Sequence, residues 1–180
     1  MLLYKDLVDA EKNNIIKLNW DIIYFGVKCH YLENQSIIDF ATANVANNID
    51  EANNLALLIE SVDHLDNTLI EIATRFKIQT SIKKNILRKL RYLSLKKLSN
   101  QFEKGKISFT EFSKLLTTFY DDHNYPVDMI PFISYMPVDG SVIGGENNII
   151  DNFKLFLNQE CEWINGDNVI SECEIENLDD

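Results

Sequence analysis

Asp121-Asp122-His123 places three side chains with metal-binding capacity in a row. Two carboxylates beside an imidazole could hold a divalent ion or move a proton. Adjacent residues, however, rarely converge on one ion without ligands from elsewhere in the fold. His30 and His64 stand far away in sequence and share no ligand spacing with the trio. A histidine at a helix C-terminus beside solvated acids accounts for the pattern. A metal-dependent hydrolase using Asp121, Asp122 and His123 stays open as the enzymatic alternative. Cys29-His30 looks like a nucleophile and its base, but neighbours on a helix point about 100° apart and do not face each other. A catalytic cysteine also needs electropositive surroundings.

Two further patterns imitate ligand loops. Gly105-Lys106-Ile107-Ser108-Phe109-Thr110-Glu111 resembles the second half of a calcium loop, but the first three ligand positions fall on Asn100, Phe102 and Lys104. A hard cation needs oxygen there, and Phe and Lys supply none. A helix ending at Gly105 followed by a capping box from Ser108 to Glu111 explains every residue instead. Gly140, Gly144 and Gly145 carry no phosphate-binding pattern and read as a loop. No catalytic residue, metal site or cofactor is expected.

Charge is the stronger signal. The net charge is -11, divided into -8 over residues 1–74, +10 over 75–106 and -13 over 107–180. Acidic surfaces repel nucleic acid and anionic lipid and attract basic proteins. The basic block holds Lys83, Lys84, Arg88, Lys89, Arg91, Lys96 and Lys97. A nucleic-acid-associated regulator working through Lys83 to Lys97 is the second alternative. Tyr92 is the only tyrosine or tryptophan there, which leaves little surface for base stacking, so a solvated, internally paired helix is the plainer account.

These residues need positioning, and helical periodicity dominates the chain. A helix is predicted over 2–12 with Leu3, Leu7 and Val8 on one side, and another from an Asn19 cap through Val27. Trp20, Tyr24 and Phe25 then read as core. Asn34 or Ser36 caps the next helix, with Ile37, Phe40, Ala41 and Val45 on one face. Asp50 caps Glu51 to Glu60, where Leu55, Leu58 and Ile59 face inward. Asp66 starts another, with Leu69, Ile70, Ala73 and Phe76 inward. The strongest element runs from about Ser81 to Glu103, with Ile82, Ile86, Leu87, Leu90, Leu93, Leu98 and Phe102 largely on one stripe. An amphipathic run follows the capping box through Tyr120. Pro126 bars helix at Tyr125, a short helix covers Val127 to Ser134, residues 138–147 form a loop, and Ile149 to Asn158 is helical. The expected fold is all-α, a single domain of irregularly stacked helix pairs over 1–165 with a loop-rich C-terminal part and an acidic tail over 166–180.

Length and composition agree with this. The 180 residues, 46% hydrophobic and 25% charged, suit one domain that buries roughly 70% of its unfolded surface. Three cysteines without a C-x-x-C pair suit a reducing cytoplasm. Lys5, Asp6 and Asp9 interrupt any signal-peptide core, and the apolar runs fall far short of the roughly 20 residues a bilayer requires. The chain is read as cytoplasmic, with no membrane partner and with nucleic acid disfavoured.

Every proline lies in Tyr125-Pro126-Val127-Asp128-Met129-Ile130-Pro131-Phe132-Ile133-Ser134-Tyr135-Met136-Pro137. Proline-bounded aromatics here either wedge between helices or stay exposed to a partner. With Leu18-Asn19-Trp20-Asp21-Ile22-Ile23-Tyr24-Phe25-Gly26 and Ile37-Ile38-Asp39-Phe40-Ala41 before it, this segment resembles a bacterial domain-of-unknown-function family, number twenty-two forty-seven. The resemblance runs from about residue 15 to 160, and the Tyr-Pro to Tyr-Met-Pro segment is its more specific half. That family has no established activity, so it implies no catalytic residues. Some members are grouped with immunity proteins of polymorphic toxin systems, which implies a stoichiometric inhibitor of a neighbouring toxin domain.

The reading is therefore a binding protein without catalysis, not an enzyme, that neutralises a cognate toxin. Its acidic contacts would be Asp121, Asp122, Asp139, Glu146 and Asp151, with Tyr135 and Met136 as apolar anchors.

Overall fold

The structure, a computed structural model, describes residues 1–50, 53, 54, 65–134 and 145–166. These residues form an all-α fold. It comprises α1 (Tyr4–Lys12), α2 (Trp20–Lys28), α3 (Gln35–Ala46), α4 (Leu65–Phe76), α5 (Lys83–Glu103), α6 (Phe109–Asp122) and α7 (Glu146–Asn165). Two 3-10 helices, Thr80–Ile82 and Val127–Phe132, precede α5 and follow α6. Among the described residues the extended pairing is one isolated parallel bridge, Leu2 with Leu32. The expected helix Glu51–Glu60, with Leu55, Leu58 and Ile59, lies almost wholly outside the described residues, as do Tyr135, Met136, Asp139 and the tail from 167 onward.

Six of these helices stop the same way. Just past each end one residue turns left-handed: Asn14, His30, Asn48, Lys77, Gly105 and Asn124, with φ between 50° and 64°. The next amide then bonds back across the last turn: Ile15 to Ala10 O, Tyr31 to Gly26 O, Ile49 to Asn44 O, Ile78 to Ala73 O, Lys106 to Gln101 O and Tyr125 to Tyr120 O. This closure satisfies carbonyls that the helix end would leave unpaired.

The chain divides into two compact units, Met1–Ser94 and Leu95–Asp180, and the division falls inside α5. In the first unit α2 packs against α3 and α4, and α1 against α3. The Asn19 side chain accepts from the Ile22 amide at 3.0 Å, which starts α2 as expected. Trp20 then stacks on Phe76 with ring centroids 4.5 Å apart and meets Phe40 edge-on at 4.9 Å. Gly26 is buried where the Leu2–Leu32 bridge approaches α2. A Cβ there would overlap Leu32 Cδ1 and lie 2.8 Å from Leu32 Cγ and 3.4 Å from Leu90 Cδ1. Leu32 and Leu90 are fully buried, so neither has room to retreat.

A buried amide pair closes the far end of α3. Asn44 Nδ2 donates to Asn54 Oδ1 at 3.2 Å. Asn54 Nδ2 in turn lies 3.1 Å from Ile49 O and 3.0 Å from Asp50 O. Both asparagines are buried, and between them the chain reverses through left-handed Asn48 and Asp50.

In the second unit an unbroken run of phenylalanine contacts forms the core. Phe102 of α5 stacks on Phe112 of α6 at 4.6 Å, and Phe112 meets Phe153 of α7 edge-on at 5.1 Å. Phe132, from the proline-bounded segment, lies 5.4 Å from Phe153 and 5.2 Å from Phe156. Asn152 Nδ2 donates to Pro131 O at 2.9 Å and fixes that segment against α7.

Several expectations need correction. Neither proposed cap of α3 acts as one: Asn34 has helical dihedrals and no side-chain cap bond, and Ser36 lies inside the helix, buried. In α1 the buried residues are Leu7 and Ala10, while Leu3 and Val8 are half-buried, because Leu2 takes the inward place by bridging Leu32. In α4, Ile70 is 65% exposed while Thr68, Leu69 and Ile72 are buried, so the inward face is set by a spacing that Ile70 misses. The Val127 helix is 3-10 and ends at Phe132. The last helix runs well past Ile149–Asn158 in both directions, so Glu146 belongs to α7 and not to the preceding loop. Buried Ile149, Phe153, Phe156 and Leu157 keep one face apolar, and buried Glu160 follows them on the same face.

Gly26→Val should destabilise the protein by about 2–3 kcal/mol through overpacking against Leu32, read as a lowered midpoint in chemical denaturation. Asn54→Ala should cost about 1–2 kcal/mol, because it removes the partner of the buried Asn44 amide and the side-chain bond to Ile49 O.

Candidate functional site

The C-terminal end of α6 places two of the proposed acidic residues, Asp121 and Asp122, just before the Tyr-Pro motif. Ser108 starts α6 by accepting from the Glu111 amide at 3.2 Å, and Gly105 ends α5, so the calcium-like pattern is cap chemistry. The last turn of α6 carries Asp121 and Asp122, both exposed, and no basic residue. The carbonyl end of a helix is its negative pole, and each carboxylate placed there costs about 0.3–1 kcal/mol. The helix dipole therefore does not favour this pair, and Asp121 is also engaged in a further interaction. Glu146 is the reverse case. It is exposed in the first turn of α7, where a carboxylate stabilises the helix, and that role suffices to explain it. Asp151 is also exposed, but five residues from Glu146, which places the two roughly 140° apart around α7 and off any common face.

Beyond α6 the chain alternates between inside and outside. Tyr120 is buried, and burial, with the nearby Asp121 carboxylate and Tyr125 as smaller causes, pushes its phenol pKa up, so the ring stays neutral. Tyr125 lies edge-on to Tyr120 at 5.3 Å and is 58% exposed. Pro126, Met129, Phe132 and Ile133 are buried, while Val127 is 56% exposed and Asp128 is also at the surface. Phe132 is thus a wedge in the core, as the first reading of the proline-bounded segment expects, while Tyr125 is exposed. Tyr135, Met136 and Asp139, proposed as contacts, fall outside the described residues. Val127 and Asp128 were not singled out by sequence reasoning, since nothing in their types tells inward from outward in a 3-10 turn.

His123 is turned back onto its own helix. Its ring stacks on Phe119 at 4.1 Å and its Nδ1 lies 2.8 Å from Phe119 O, so the tautomer protonated at Nδ1 donates there. Among the described residues no three His, Cys, Asp or Glu side chains gather as a metal set. Cys29 and His30 have structural places: half-buried Cys29 caps α2, and exposed His30 is the left-handed residue beyond it.

The basic block is less of a surface than its sequence suggests. Lys84 and Lys96 are exposed, Lys83, Arg88, Lys89 and Lys97 are half-buried, and Arg91 is only 2% exposed. Lys83, Arg88, Arg91 and Lys97 are all engaged in further contacts. Leu95, not anticipated on the apolar stripe, is fully buried, because α5 is covered on more than one side. Among the described residues no helix is long and apolar enough to cross a membrane.

No curated protein and no solved structure matches the chain. Residues 8–161 match a family described as an uncharacterized protein conserved in bacteria (DUF2247), a description that names neither activity nor partner; on that span, which is most of its length, the chain belongs to this family.

Proposed function

We propose that this chain is a non-catalytic binding protein that docks on a basic protein domain, and that it acts as the cytoplasmic antagonist of a cognate bacterial toxin. The partition of charge between the two units carries this reading. Met1–Ser94 holds 11 basic and 12 acidic residues, a net of -1, whereas Leu95–Asp180 holds 6 basic and 16 acidic residues, a net of -10. Nearly all the net charge of the protein is thus concentrated in one unit. A field of one sign speeds encounter with an oppositely charged partner and discourages nucleic acid. Many nuclease toxins are basic, and an acidic inhibitor can block the groove that holds their substrate. Asp121 and Asp122 support the same reading, since they are exposed at the helix end whose dipole disfavours carboxylates.

Co-expression with the product of the adjacent gene tests the proposal. The expected result is suppression of that product's toxicity through a stoichiometric complex that weakens as salt rises. A non-toxic neighbour, or toxicity that persists unchanged, refutes it. Charge reversal at Asp121 and Asp122 to Lys should slow association about tenfold or more, mainly in the on-rate. Glu33→Lys, exposed in the first unit, should leave it nearly unchanged. Neutralising the pair as Asp121→Asn and Asp122→Asn should raise stability by about 0.5–1 kcal/mol while weakening binding; a loss of stability would show that the two carboxylates serve the fold.

A further inference from the structure

We infer that Tyr125 is the anchor of this surface and that it receives an arginine side chain from the basic partner. This rests on the acidic-docking reading and goes beyond it by naming the receiving residue and the group received. The argument begins with the backbone. At the five other left-handed helix ends the residue that bonds back, Ile15, Tyr31, Ile49, Ile78 or Lys106, has already returned to negative φ. Tyr125 has not: its φ is 55°, directly after left-handed Asn124 and directly before Pro126. Left-handed backbone costs a bulky residue roughly 1–2 kcal/mol, and a following proline restricts the residue further.

That conformation leaves the ring outside. The C-terminal closure itself explains the edge contact between Tyr125 and Tyr120, since the two positions commonly touch in this motif. It does not explain 58% exposure, because Tyr31, which bonds back in the same way at the end of α2, is only 6% exposed. The Tyr125 amide is bonded to Tyr120 O at 3.1 Å, and its ring is held against a buried neighbour. The ring is therefore ordered before any partner arrives, which lowers the entropic cost of binding.

The surroundings select the guest. Exposed Asp121, Asp122 and Asp128 lie four and three residues before and three after Tyr125, and exposed Val127 lies two after it. An exposed aromatic ring with three exposed carboxylates within four residues of it in the chain favours a cation. A guanidinium satisfies both, because it is planar, weakly hydrated, stacks on a ring and pairs with carboxylates; an ammonium is more strongly hydrated and does not stack. A carboxylate or phosphate guest would meet repulsion from all three acids.

The test is amide and aromatic NMR of the full chain at low salt, titrated with an oligoarginine peptide and with an oligolysine peptide of equal length. Oligoarginine should shift the Tyr125 ring signals and the amides of 121–128, and bind about fivefold or more tighter than oligolysine. Tyr125→Ala should remove most of that difference, and Tyr125→Phe should keep it. Wild-type shifts that map away from 121–128, or equal affinity for the two peptides, overturn the inference whether or not the alanine variant folds. Oligoarginine binding that survives Tyr125→Ala unchanged removes the anchor and leaves the acidic surface standing. Binding of neither peptide removes both.

Discussion

The way helices end is the constraint on which most of this structure depends. A helix can pack against its neighbour only if the chain stops and turns within a few residues, and six helices do this through one left-handed residue and one amide bonded back across the last turn. Each closure aims the following segment. After α2 it delivers Tyr31 and Leu32 to the Leu2 bridge, and Leu32 then needs the space that Gly26 leaves open. After α3 it starts the reversal that the Asn44–Asn54 pair completes. After α6 it sends the chain into the proline-bounded segment, which carries Phe132 into contact with Phe153 and Phe156.

That last closure joins architecture to surface. Phe132, Met129 and Ile133 go inward because the phenylalanine core of the second unit can bury them. Pro126 and Pro131 stiffen the backbone between, so the same geometry that seats Phe132 also settles where Tyr125 and Val127 stand. Inside and outside are fixed together along a few residues. Such rigidity suits recognition by an ordered surface, and His123 beside it is held against its own helix.

The all-α class and most helices were legible because apolar spacing survives in the sequence, and α2 was legible to its Asn19 cap. The left-handed closures of the helices were legible only at Gly105. Glycine is the usual marker of a left-handed residue, and here asparagine, histidine and lysine fill the same position elsewhere. Ile70 was misplaced because an apolar residue one step off the face looks the same in sequence as one on it. Arg91 was misread for the opposite reason: composition assigns arginine to solvent, and only the packing around α5 shows it inside. At the site, the acidic residues were visible as charge, but their meaning was not. It takes the observed end of α6 to separate Asp121 and Asp122, which oppose their helix, from Glu146, which supports its own.

The two carboxylates at the end of α6 have a thermodynamic consequence. They place like charge at the negative pole of a turn whose shape is already set by the bond from the Tyr125 amide to Tyr120 O. A cation arriving there would cancel that charge without reshaping the backbone. Occupancy would then register as a gain in the melting temperature of the free fold and not as a new conformation.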